Sequence, residues 1–434
     1  MKHLLKIISS LTILSTGVLA VSCTRKVDNK DIKNNISRDN KDKNKEPKTN
    51  DNKENKRDKH INDINNEENN SKGDSEKLPQ DDPQSIPEIL ITDQEKNDAI
   101  SALQKVFKEQ EESFGSFHSY KDVLDQLKVY LEDVKIKHLN NLTLSNVNEE
   151  NNKLKIDNKG TLNNIKIKYF DKEVVFTPKT VLDNEVSEKY SEANELIRIG
   201  YKFEKNLNNI KMKNVKDNIK KVPKHLPLKI NSLEETFKKI KSEKIENLDK
   251  WNTKNIRNLK GTFSETDNFN QDISKWDVSN VVDMTEAFSV AKKFNVDLNL
   301  WNTTSVKEMR GVFWDAYSFN GNISKWDTRN VEDMSVMFSG AKNFDQDLSG
   351  WNTSKVVTME GMFSDAEVFN KNISGWDTSK VATMSRMFQD AKKFNQNLKS
   401  WNVSKVTHAE GFKKGSSIDD KFLPSFSGSI LSKL

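Results

Sequence analysis

The sequence predicts an α+β chain. Its main part is a repeat solenoid with a short strand and a short helix in each 25-residue unit, preceded by a small α+β region and a disordered tether. Three observations carry this. Tryptophan falls at 251, 276, 301, 326, 351, 376 and 401, every gap being 25 residues. Between 92 and 220 apolar residues first follow helical spacing and then alternate. From Thr24 to Ser85 only six of 62 residues are apolar.

Taken in chain order, the first element is an address. Lys2, His3 and Lys6 form a basic start, Leu4 to Val21 is apolar, and the run closes on Ala20-Val21-Ser22-Cys23. Such a segment reads as an export signal rather than as fold. Its end resembles the lipobox of bacterial lipoproteins, with Ala20 where that motif prefers Leu. The resemblance implies a signal peptide over 1–22, lipidation of Cys23 and a cell-membrane anchor on the extracellular face. Two acyl chains suffice for stable anchoring. Cys23 is the only cysteine of the 434 residues, so a disulfide scaffold and a cysteine metal cluster are both excluded.

Residues 23–91 read as an Asn/Lys/Asp/Glu-rich tether. Six apolar side chains cannot offset an ordering cost of ~1–2 kcal/mol per residue. Its 15 bases and 16 acids from Thr24 to Ile91 favour a solvated linker over a lipid-binding segment. Residues 92–222 read as the small α+β region. Ile100, Leu103, Val106 and Phe107 mark one helix. Tyr120, Val123, Leu124, Leu127, Leu131 and Val134 mark a second, capped by Ser119 with Asp122. Leu154–Ile156 is an expected strand. Ile165–Tyr169 and Glu173–Phe176 are expected to form a hairpin about Asp171-Lys172, and Leu196–Ile199 another strand.

The repeats occupy 223–412, with 413–434 as a C-terminal cap and loose tail. Phenylalanine at 263, 288, 313, 338, 363 and 388 keeps the 25-residue beat, as does a second set at 269, 294, 319, 344, 369 and 394. Val281, Met284, Ala287, Phe288 and Ala291 sit at helical spacing, with Asp277 or Ser279 able to cap. Ile273, Trp276 and Val278 supply the extended piece. About six large apolar side chains, worth roughly 1.5–3 kcal/mol each, cannot order 25 residues alone. Units of this kind fold by burying one another's faces. A 50-residue beat lies inside the first: Ile alternates with Leu at 273/298/323, and Asp with Asn at 277/302/327.

The run Phe-Asn-Gln-Asp-Ile-Ser-Lys-Trp-Asp-Val-Ser-Asn-Val-Val-Asp-Met (269–284) resembles the BspA-type leucine-rich-like repeats of mycoplasma surface lipoproteins. Residues 220–227 are similar to that family's lead-in. The resemblance covers 220–412 and the lipobox. It implies a surface-exposed, lipid-anchored protein suspected of adhesion, host-protein binding or antigenic variation, and it carries over no catalytic residue.

No chemistry-bearing motif emerges. The six histidines are scattered, and no zinc-protease, nucleophile-elbow or phosphate-loop pattern occurs. Asp272, Asp297 and Asp347 form a set that Asn322, Asn372 and Asn397 interrupt, so they read as turn formers rather than calcium ligands. No catalytic residue, metal or cofactor is expected. A net charge of +5 from 70 bases and 65 acids gives no basis for a nucleic-acid partner. Departures from the repeat are the candidate partner contacts: Trp314 where most units have Ser, Tyr317 where they have charged residues, and Val296 and Leu300 in the adjoining unit. The expectation is a non-enzymatic module bound to the membrane through Cys23 and binding host or extracellular proteins. The alternative is a structural, antigenically variable coat without a specific ligand.

Overall fold

The computed structural model describes residues 91–434. Cys23, the signal segment and nearly all of the tether lie outside the described residues. Helix α1 (Asp93–Gln110) starts in a reciprocal cap between Thr92 and Glu95. Helix α2 (Tyr120–Leu131) starts in the expected one between Ser119 and Asp122 and ends before Val134, which lies exposed in the 3-10 turn that follows. Strands β1 (Leu142–Leu144), β2 (Ile165–Tyr169) and β3 (Lys172–Phe176) form an antiparallel sheet in that order. The hairpin register pairs Tyr169 with Lys172 across Phe170 and Asp171. The helices cover this sheet, and Leu103, Val123, Leu127, Ile165 and Ile167 are fully buried between them. The strand expected at Leu154–Ile156 does not form. Leu154 is buried, but Ile156 is exposed, and the isolated bridges here fall on the flanking Lys153 and Asp157.

Short strands follow: β4 (Glu185–Val186), β5 (Lys189–Tyr190), β6 (Leu196–Arg198), β7 (Tyr201–Glu204) and β8 (Asn209–Met212). They form two small antiparallel sheets, β4-β7-β8 and β5-β6. Their buried residues, from Val186 onward, belong to the core of the repeats, so that core reaches back beyond residue 223. Single parallel bridges then step from Lys211 to Ser232, Asn258, Asp283, Glu308, Asp333, Thr358, Thr383 and His408. Each 25-residue unit therefore lies in register on the next. At the C-terminal end the tail is packed rather than loose. Helix α3 (Gly428–Leu431) buries Ile430, and Phe426 meets Phe412 edge-on.

The short strand expected at Ile273–Val278 and its equivalents does not form, the only bridge of each unit falling later, as at Asp283, and the short helix is absent too, for a reason the backbone shows. Met284, Glu286, Phe288 and Val290 donate N–H to the carbonyls of Glu308, Arg310, Val312 and Trp314 in the next unit, at 2.6–3.0 Å. The intervening Ala287, Ser289 and Ala291 donate three residues back. Two residues of each such stretch take left-handed backbone, Glu286 (φ 56°) and Val290 (φ 57°) here. An α-helix would satisfy these donors within the unit and leave the stack without its ladder. The apolar spacing was real; the period alone does not distinguish a helix from this staircase.

The first left-handed position alternates between Gly261, Gly311, Gly361 and Gly411 and the non-glycine residues Glu286, Val336 and Arg386. The 50-residue beat thus has a backbone counterpart. A β-branched residue is costly at positive φ. Val336→Gly should raise stability by about 1 kcal/mol, read from the urea midpoint. A lower midpoint would mean that packing by the Val336 side chain outweighs the conformational cost.

Polar groups in the core are also stacked. Thr303, Thr328, Thr353 and Thr378 are buried, and each hydroxyl donates to a carbonyl of the next unit at 2.9–3.0 Å. Val278 and Val403 fill the same slot elsewhere. Thr328→Val, which keeps the shape and orphans one carbonyl, should cost about 1 kcal/mol in urea unfolding. No change would show that the Asn352 carbonyl finds another donor.

Candidate binding surface

The tryptophans do not form the surface. From Trp251 to Trp401 all seven are buried. Successive indoles stack at 6.2–6.5 Å where they pair. Each ring N–H donates to a backbone carbonyl 28 residues earlier, as Trp326 does to Leu298 at 3.0 Å. The two phenylalanine columns lie beside them, with Phe313 and Phe319 centroids 3.7 Å apart. Function must therefore be sought in the outward positions.

A polar column that sequence reading missed holds one outer edge. Asn270 Oδ1 accepts the backbone N–H of Asn295, Asn295 that of Asn320, and Asn320 that of Asp345. Asp345 then accepts from Asn370, and Asn370 from Asn395, at 2.7–3.0 Å. Its signal was the Phe-Asn or Phe-Asp pair on every 25-residue beat. Every member of the column is an Asn or Asp whose Oδ1 accepts.

The four departures from the repeat do not form one cluster of equal exposure. Trp314 is half-buried, because its column otherwise holds small buried serines such as Ser289 and Ser339 and cannot enclose an indole. Tyr317 is exposed, and its column runs Asp267, Lys292, Tyr317, Lys342, Glu367, Lys392. Lys292 pairs with Asp267 and Lys342 with Glu367, leaving the phenol between two anchored ammoniums. Burial and the adjacent Asp315 raise the Tyr317 pKa. Leu300 is 75% exposed, one residue before Trp301 and on a different edge. Val296 is partly buried and packs on the core, so little of it reaches solvent.

Asp315, between Trp314 and Tyr317, was not foreseen. Its backbone is left-handed (φ 54°). Its Oδ1 occupies the space a Cβ at Gly340 would need, 2.0 Å from that position. Burial first, and Asp365 second, push its pKa up to about 6.

The junction between the N-terminal sheet and the stack is polar and closed. Arg198 pairs with Glu112 at 2.5 Å and Lys229 with Asp122 at 2.8 Å, while Asp133 holds both Lys224 and His225. The Tyr201 hydroxyl donates to the Ser113 carbonyl at 3.0 Å and lies 3.2 Å from Nε2 of buried His118. Burial lowers the His118 pKa to about 4, so the ring is neutral at pH 7. The cavity beside Tyr201 and Arg198 measures about 40 Å³, room for a water molecule. Among the described residues no three His, Cys, Asp or Glu side chains are placed to share a metal ion. No helix among them is long and apolar enough to cross a membrane.

Residues 231–342 and 320–423 match the model of a family described as "Mycoplasma protein of unknown function, DUF285". The match covers the repeats, where the sequence resembles a mycoplasma repeat family. No curated protein matches the chain, and no solved structure does.

Proposed function

We propose that the stack is a leucine-rich-like solenoid of BspA type on a lipid-anchored surface protein, and that it binds or adheres to host or extracellular proteins without catalysing a reaction. The observation that carries this reading is the contrast between inside and outside. Buried columns repeat Trp, Phe, Met and Thr almost unchanged, while outward columns differ from unit to unit. Such a frame presents varied side chains at fixed spacing. Trp314 and Tyr317 are the anchor candidates, since partly exposed aromatics contribute disproportionately to protein interfaces. Lipidation of Cys23 and the tether would hold this frame away from the membrane.

The test is binding of the chain from Thr24 onward to host cells and to immobilised matrix proteins. Saturable binding is expected, weakened in a Trp314→Ser/Tyr317→Lys double variant that restores residues found in other units. Absence of saturable binding on every surface tried would favour the coat reading instead.

A further inference from the structure

The turns that carry the tryptophans form one edge of the stack, and charge is segregated onto it. The seven turns at 250–255, 275–280, 300–305, 325–330, 350–355, 375–380 and 400–405 hold eight lysines and arginines against three aspartates. The neighbouring bridge face, 256–260 and its six equivalents, holds four bases against six acids. Lys250, Lys275, Lys325, Lys355, Lys380 and Lys405 are all exposed. Among the described residues, the ion pairs on this edge are Lys250 with Asp249 and Arg329 with Asp327. The three aspartates are engaged locally: Asp277 accepts the Ser279 N–H, Asp377 the Ser379 N–H, and Asp327 that of Arg329.

Register makes this a line rather than a scatter. Neighbouring units are joined by parallel bridges, and the indoles these turns carry lie 6.2–6.5 Å apart where they pair, so successive turns follow one another at that step. The turn at 300–305 carries no base and exposes Leu300 instead.

We infer that this edge binds a linear sulfated polysaccharide. The charge is confined to a strip one turn wide, with Lys250, Lys275 and Lys325 just before their tryptophans and Lys355, Lys380 and Lys405 four residues after theirs, which suits an extended polyanion. A bilayer would engage a broad basic face with several apolar insertions, and this edge exposes one leucine. Single-stranded nucleic acid would be held by bases stacked on exposed aromatics, and here every indole is buried with its N–H already bonded. Exposed ammoniums repeated along one edge match sulfate groups repeated along a chain. This inference stands apart from the protein-contact reading, which uses Trp314 and Tyr317.

The experiment is heparin binding by the full-length chain, with desulfated heparin, a single-stranded DNA oligonucleotide and phosphatidylglycerol vesicles as rival probes. One variant is Lys275→Gln/Lys325→Gln/Lys380→Gln. The control, Lys293→Gln/Lys307→Gln/Lys393→Gln, removes the same charge from exposed lysines off this edge. The edge variant should weaken heparin binding about tenfold and lower its salt slope by about two, since each lost contact releases fewer counterions. The control variant and Trp314→Ser/Tyr317→Lys should bind heparin as the parent does. Thermal melts of all variants check folding. Equal loss in edge and control variants would overturn the inference, as would equal binding of desulfated heparin or tighter binding of the DNA or the vesicles.

Discussion

Phe313→Ala should destabilise the stack by about 3–5 kcal/mol. Phe313 is fully buried at the centre of the aromatic columns. Its ring meets Phe319 at 3.7 Å, Phe288 at 5.6 Å, Phe338 at 5.8 Å and Trp326 at 5.9 Å. Those rings come from three successive units, so the cavity opens in the contacts that join them. The backbone of the site cannot collapse to fill it, because Phe313 N–H is tied to Met337 and Phe288 N–H to Val312 across the unit boundaries. Urea unfolding followed by tryptophan fluorescence reads the loss. Phe313→Leu, which fills more of the space, should lose less. A drop below ~1 kcal/mol for the alanine variant would mean that the units are stabilised independently of one another.

Asp315→Asn should stabilise the chain by about 2 kcal/mol at pH 7.5, with the gain vanishing near pH 4. The sign follows from the direction of the shift. Burial, with Asp365 adding to it, raises the folded pKa to about 6, above the unfolded value of about 3.9. Folding therefore disfavours the carboxylate. The penalty is complete above pH 6, shrinks as pH falls, and is gone once the group is protonated in both states. Asn keeps the shape, removes the charge and tolerates the left-handed backbone of this position. Stability of both proteins from pH 4 to pH 8 tests it. A difference that does not change with pH would show that Asp315 titrates as an ordinary exposed carboxyl.

The amphipathic helices and the hairpin were legible because their signals are local. Ser119 with Asp122 states the start of α2, and alternation in Ile165–Tyr169 states the strand. The 25-residue beat named the buried columns Trp276, Phe288 and Phe294 without error, since a residue that must meet its own equivalent has little freedom to drift. The staircase between Met284 and Ala291 was not legible. Its left-handed Glu286 and Val290 carry no glycine to announce them, and its hydrogen bonds go to residues 24 positions away. Leu154–Ile156 failed for a related reason: alternation shows which side chain is covered, but not whether a partner strand lies beside it. On the surface, Trp314 and Tyr317 were legible as departures from a pattern. Asp315 was not, because its character depends on the missing side chain of Gly340 in the next unit.

The ladder of single parallel bridges also fixes how the protein would respond to mechanical load. Tension applied between its two ends pulls along the axis on which the units are piled, across the bridges rather than along a strand. Bonds in that geometry open in sequence instead of sharing the strain. The stack should therefore peel from one end at low force. Each released unit would add roughly 85 Å of slack at about 3.4 Å per residue, a shock absorber that lengthens by regular increments.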